Sequence, residues 1–214
     1  MPWKHYFDGK RTCEVAKRKT ASNTWDDHYS RKAKKDNYPA RSVYKLKEIQ
    51  QKFTILKKND KVLDLGCAPG SWLLFAGETV GAGGEVIGID LKSIEVRVPS
   101  WVTVITGDIL ELADRYDETI GIGYQVVLSD MAPQTTGRKD LDAYRSYELC
   151  ETALNVATHI LEKNGHFVCK IFQGNEFQRF SKQVQAQFRQ MKIFKPDSCR
   201  KASKEIYIIG IGKK

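Results

Sequence analysis

The stretch VLDLGCAPGSW, Val62 to Trp72, decides the fold: an apolar strand runs into a glycine-rich turn and then into a helix. Gly66 and Gly70 permit a tight turn and a close approach of backbone to ligand, as at the carboxyl ends of strands in open α/β sheets. Outward from it, β-rich runs alternate with helical stretches. The runs are KVLDLG (61–66), EVIGID (85–90), VTVITGD (102–108), YQVVLSD (124–130), HFVCKIF (166–172) and EIYIIGIG (205–212). Helices are predicted over 71–80, within 141–163 and over 175–190. Val43, Leu46, Ile49 and Phe53 recur at helical spacing after Pro39, which places Lys45 on a further helix. Strand alternating with helix predicts an α/β fold with a doubly wound, mostly parallel sheet. Lys192–Asp197 reads as one more strand, joined by a polar loop to the last one and making an antiparallel pair at one side of the sheet.

The 214 residues suffice for one such domain with an N-terminal extension and are too few for two of full size. We divide them into a basic arm, 1–40, and a main domain, 41–214. Hydrophobic residues at 41% and charged residues at 29% exclude a mostly disordered or fibrous chain. No apolar run approaches the roughly eighteen residues of a membrane span. The first residues lack an apolar stretch after their charges, and Asp8 and Glu14 fit a transit peptide poorly, so the expected compartment is the cytoplasm. The five cysteines are odd in number and widely spaced, with no CxxC pair and no histidines at zinc-ligand spacing; they read as small buried hydrophobes, with neither disulfide nor metal.

The net charge of +9 is uneven. Residues 1–61 carry 17 basic and 7 acidic side chains, so essentially all the excess lies there. Arg31, Lys32, Lys34, Lys35, Arg41, Lys45 and Lys47 are interleaved with Trp25, His28, Tyr29, Tyr38 and Tyr44. Such a mixture neutralises phosphates and stacks on bases, although a solvated arm aiding solubility has the same composition.

Carboxylates recur at the strand ends. Asp90 closes the run after the glycine-rich turn, where it can accept hydrogen bonds from ribose hydroxyls, and Asp108 closes the third run, within reach of an adenine amino group. A dinucleotide site wants GxGxxG so that a pyrophosphate sits on the helix N-terminus. The turn here, Gly66-Cys67-Ala68-Pro69-Gly70, lacks that spacing. The implied ligand has a ribose and base but no diphosphate, and the acids suit a positive charge such as the sulfonium of S-adenosylmethionine. The alternative is that the glycines only turn the chain and the aspartates only cap helices; three successive strand ends in Asp weigh against it.

The ordered set ARSVYKLKEI (40–49), DLGCAPGSW (64–72), GID (88–90), GDI (107–109), LSDMAP (128–133), KIFQG (170–174) and SKEIY (203–207) resembles the FtsJ/RrmJ-type ribosomal RNA 2′-O-methyltransferases, the ribosomal RNA large subunit methyltransferase E family. The resemblance spans residues 40–207 in order. It implies a Rossmann-like S-adenosylmethionine-dependent methyltransferase fold with an antiparallel last strand. It also implies a catalytic tetrad on Lys45, Asp130, Lys170 and Glu205, and cofactor contacts on Gly70, Trp72, Asp90, Asp108 and Asp130, to which the turn adds Gly66. The substrate implied is a uridine of large-subunit (23S) ribosomal RNA, free or in the assembled subunit, with transfer RNA or another RNA as the alternative. No metal is implied, and nothing requires a partner chain, so a monomer is expected.

The residues support this chemistry on their own terms. In HFVCKIF, alternation sets Val168 and Lys170 on one face and Phe167 and Cys169 on the other; a lysine in so apolar a strand must find a partner or lose its charge. Asp130 ends the preceding run, so the two can meet at one sheet edge. Methyl transfer from a sulfonium is an in-line displacement that needs donor and acceptor in near-attack geometry, and a ribose hydroxyl needs its proton drawn away. Lys170 is assigned as general base, Asp130 as the group that orients it, and Lys45 with Glu205 as positioning residues. Taken singly, Lys170 also reads as a strand-end lysine reaching solvent and Glu205 as an idle carboxylate. Base methylation fits less well: no Pro-Cys supplies a nucleophile for pyrimidine carbon-5, and Asp130-Met131-Ala132-Pro133 departs from the Asp/Asn-Pro-Pro-aromatic loop of amine methylation. A non-catalytic RNA-binding protein on the same fold is the rival from another class.

Overall fold

In the computed structural model, residues 24–110, 116–200 and 202–214 are described. The first 23 residues, with Cys13 and the start of the basic arm, lie outside them, as does the side chain of Trp25. In chain order the elements are α1 (Thr24–Lys35), α2 (Val43–Phe53), β1 (Lys61–Leu65), α3 (Ser71–Val80), β2 (Glu85–Asp90), β3 (Val102–Thr106), α4 (Tyr116–Thr119), β4 (Tyr124–Ser129), α5 (Lys139–Ile160), β5 (Leu161–Phe172), α6 (Phe177–Gln187), β6 (Phe188–Phe194) and β7 (Glu205–Lys213).

The strands form one seven-stranded sheet in the order β3-β2-β1-β4-β5-β7-β6. β3, β2, β1, β4 and β5 are mutually parallel, whereas β7 runs antiparallel to both of its neighbours, so β7 is the one reversed strand. The order reverses between β1 and β4, which opens a crevice at the carboxyl ends of those strands.

Strand alternation sorts the core into two layers. Leu63, Leu65, Val127, Phe167, Cys169, Ile206 and Ile208 face a cluster roofed by α5 and α6. Val62, Val126, Leu128, Val168, Tyr207 and Ile209 face the other, roofed by α2 and α3 through Leu46, Ile49, Trp72, Leu73 and Ala76. Both faces of the central strands are therefore apolar, as a covered parallel sheet requires. Cys67, Cys150, Cys169 and Cys199 are buried free thiols within these layers.

Four boundaries differ from the sequence reading, each for a local reason. β3 ends at Thr106, leaving Asp108 in the following turn. β5 begins at Leu161, which pairs with Tyr124 before the register shifts to Val126–His166; left-handed Asn164 (φ 70°) lies within that irregularity. α6 stops at Gln187 because Phe188 turns extended, so β6 starts there rather than at Lys192. Finally, α1 is an added helix: Ala33 and Tyr38 are buried with Val43 and Tyr44 against Leu74 and Phe75, which docks residues 24–40 on the outside of α2 and α3. No helix among the described residues is long and apolar enough to cross a membrane.

Candidate active site

Four ionisable side chains meet at the carboxyl edge of β4 and β5. Asp130 follows β4, and Lys170 lies on β5 on the Val168 face, as alternation predicts. The Lys170 Nζ is 3.1 Å from Asp130 Oδ1 and donates to the Asp130 carbonyl oxygen at 2.5 Å. Lys170 is only 6% exposed, so it depends on that neighbour for charge balance. From α2, Lys45 reaches Glu205 at the start of β7, with its Nζ 2.9 Å from one carboxylate oxygen and 3.0 Å from the other. All four residues predicted for the tetrad are thus brought together in two ion pairs.

The two pairs are electrostatically joined. Burial pushes the Asp130 carboxyl up, but the charges of Lys170 and Lys45 and a hydrogen bond from Tyr207 outweigh it and hold the group below the ordinary carboxylate range. Burial likewise opposes the charge on Lys45, and the carboxylates of Asp130 and Glu205 overcome it, raising the ammonium above its ordinary value. The sequence reading passed over Tyr207 as a site residue. Its hydroxyl donates to Asp130 Oδ1 at 2.7 Å, and its ring lies 5.8 Å from that of Trp72. The signal was its place two residues after Glu205, which puts both on one strand face.

The glycine-rich turn sits beside this cluster. Gly66 (φ 76°) and Gly70 (φ 105°) are in the left-handed region, and a Cβ on Gly66 would come within 2.6 Å of Met131 Cγ. The turn is therefore open to glycine alone and lies against the residue after Asp130. Asp90 holds it: one carboxylate oxygen accepts from the Ala68 N–H at 2.9 Å and the other from the Lys92 N–H at 2.9 Å. Asp108 accepts from the Leu110 N–H at 2.9 Å through one oxygen. Trp72 is buried, and its indole N–H donates to the Ser42 carbonyl at 2.8 Å, tying α3 to α2. Its main-chain N–H belongs to the first turn of α3, where helical amides lack intrahelical partners.

Beneath the turn, Asp64 is fully buried with neither carboxylate oxygen hydrogen-bonded, and burial together with the charges of Asp130 and Asp90 raises it well above the ordinary range. Around it, Asp90, Asp108 and Asp130 make the carboxyl ends of β2 to β4 acidic. That charge repels a pyrophosphate and attracts a cationic ligand, so the residues present fit S-adenosylmethionine and do not fit a dinucleotide.

Solved structures share this architecture. A ribosomal RNA methyltransferase of Plasmodium falciparum is 26% identical, with a TM-score of 0.68 over 82% of this chain and 98% of that one. Aeropyrum pernix fibrillarin, solved with natively bound S-adenosyl-L-methionine, matches in fold with a TM-score of 0.54 at 15% identity, over 73% of this chain and 68% of that one. Fold and site together define an S-adenosylmethionine-dependent methyltransferase. Among curated proteins, ribosomal RNA large subunit methyltransferase E of Desulforapulum autotrophicum is 58% identical over 92% of this chain and 97% of its own length, and that of Desulfosudis oleivorans is 55% identical over 88% and 91%. The FtsJ-like methyltransferase model matches residues 38–213, a span holding the whole tetrad, and the chain belongs to that family.

Proposed function

We propose that the enzyme methylates the 2′-oxygen of a ribose, a uridine of large-subunit (23S) ribosomal RNA, with S-adenosylmethionine as donor. The observation that carries this reading is the Lys170–Asp130 pair, 3.1 Å apart, beside the Lys45–Glu205 pair and the glycine-rich turn. The donor, when bound, supplies a sulfonium-activated methyl group. Gly66 and Gly70 would leave room for it, the main-chain N–H of Trp72 would be available to its carboxylate, and Asp90, Asp108 and Asp130 would hold its ribose, base and ammonium through their remaining acceptor capacity. Lys170, entering the step as the neutral amine, takes the proton leaving the 2′-hydroxyl as the oxygen–methyl bond forms and the methyl–sulfur bond breaks. Asp130 fixes the Lys170 amine through carboxylate and carbonyl alike, and Lys45 and Glu205 hold the acceptor ribose in line.

Substrate chemistry supports the remaining assignments. The curated relatives are named for large-subunit ribosomal RNA, and the excess positive charge of residues 1–61 suits a polyanion. We divide the chain into a basic RNA-binding arm, 1–40, and a methyltransferase domain, 41–214, acting as a monomer in the cytoplasm, where large subunits are found. Purified protein incubated with labelled donor and large ribosomal subunits, naked ribosomal RNA or transfer RNA tests this reading: label is expected on ribosomal RNA. Label confined to transfer RNA would move the substrate, and RNA binding without label would make the protein a non-catalytic binder.

A further inference from the structure

A second basic surface lies across the sheet edge from α1 and α2. A cavity of about 180 Å³ is lined by Lys139 and Asp142 at the start of α5, Phe172 at the end of β5, and Ser203 and Lys204 before β7. Lys139 and Lys204 are exposed, and neither side chain has an ion-pair or hydrogen-bond partner among the described residues. Asp142 is the one acid in the lining. Its Oδ1 accepts from the N–H (2.8 Å) and hydroxyl (2.9 Å) of Thr136 and its Oδ2 from the N–H of Gly137 (3.2 Å), so it braces the loop wall. The opposite wall is fixed by the main chain, with the Gln173 N–H donating to the Lys204 carbonyl at 3.0 Å.

Position gives this cavity its meaning. Phe172 pairs with Glu205 across the β5–β7 ladder, and Lys204 immediately precedes Glu205, so the cavity starts one residue from the tetrad. Glu205 and Tyr207 face α2, whereas Lys204 shares the parity of Ile206 and Ile208, which face α5 and α6. A polynucleotide whose ribose sits at the tetrad must leave it on both sides. The α1–α2 face supplies cations on one side, and this cavity supplies them on the other.

We propose that the cavity is a phosphate-binding subsite for the RNA backbone next to the methylated ribose, with Lys139 and Lys204 as its cations. The inference rests on the RNA reading above and adds where the chain runs. The double variant Lys139→Glu, Lys204→Glu tests it, with Lys139→Arg, Lys204→Arg as the charge-preserving control and melting temperature and donor affinity as checks on the fold. Two measurements are made: binding of naked ribosomal RNA over a salt series, and steady-state methylation of large subunits. The Glu variant should shift the log–log salt slope by about one, the counterion release of one phosphate, and raise KM about tenfold with donor affinity unchanged, while the Arg variant stays near wild type. An unchanged salt slope and KM in the Glu variant would overturn the subsite. Absence of methyl transfer by the wild type would instead overturn the substrate reading, and the binding slope would still decide the subsite. Should the Glu variant melt early, the single substitution Lys204→Gln carries the same two readouts.

Discussion

At the residue scale, the site rests on a buried amine held by a buried acid. Lys170→Ala should leave donor affinity by calorimetry intact while lowering the methyl-transfer rate by about 10²-fold or more, the usual contribution of a positioned base. Asp130→Asn removes the counter-charge from a 6% exposed ammonium and should cost about 3–5 kcal/mol by denaturant unfolding. Asp130 and Asp64 have opposite pH signatures. Asp130 is held low in the folded state, so its stabilisation is present above the unfolded carboxyl value of about 3.9 and is lost as pH falls through the lower folded value. Asp64 is raised, so it favours folding below about pH 3.9, and that contribution is lost as pH rises towards its folded value. The stability of Asp64→Asn relative to wild type should therefore grow from about pH 4 upward; a pH-independent difference would mean that Asp64 is not held neutral.

At the element scale, the turn depends on close backbone packing. A Cβ on Gly88 of β2 would meet Leu73 Cδ1 at 2.7 Å and Cys67 Sγ at 2.9 Å, so Gly88→Ala should destabilise by about 1–3 kcal/mol and weaken donor binding by displacing α3. Unchanged donor affinity would mean that the turn absorbs the extra methyl. Much of this level was legible in sequence. Period-two alternation put Lys170 and Val168 on one face, and helical spacing put Lys45 on α2, because both patterns follow from burying apolar side chains against a sheet. What escaped the sequence was set by tertiary contact. α1 is polar along most of its length and is held by few buried residues, chiefly Ala33 and then Tyr38 beyond its end, which leaves no apolar stripe to read. The start of β6 is masked because Phe177, Phe180, Val184 and Phe188 recur at helical spacing straight across the boundary. Asp90 was read as a ribose acceptor, and its hold on the Ala68 amide came only with the folded turn.

At the scale of the whole molecule, charge and chemistry converge on one edge of the sheet. On the α1–α2 face, Lys47 lies 4.3 Å from the Tyr38 ring centroid and Lys32 4.8 Å from that of Tyr44, so cations and aromatic faces are interleaved beside Lys45. Affinity for ribosomal RNA should therefore fall steeply and log-linearly with salt, while donor affinity does not. A flat salt response would assign the basic face to solubility alone. The most direct measurement is to transfer a labelled methyl group from S-adenosylmethionine to large ribosomal subunits with wild type and Lys170→Ala, then map the label. Label on a ribose 2′-oxygen, absent with the variant, is the predicted result; label on a base, or near-normal transfer by Lys170→Ala, would contradict it.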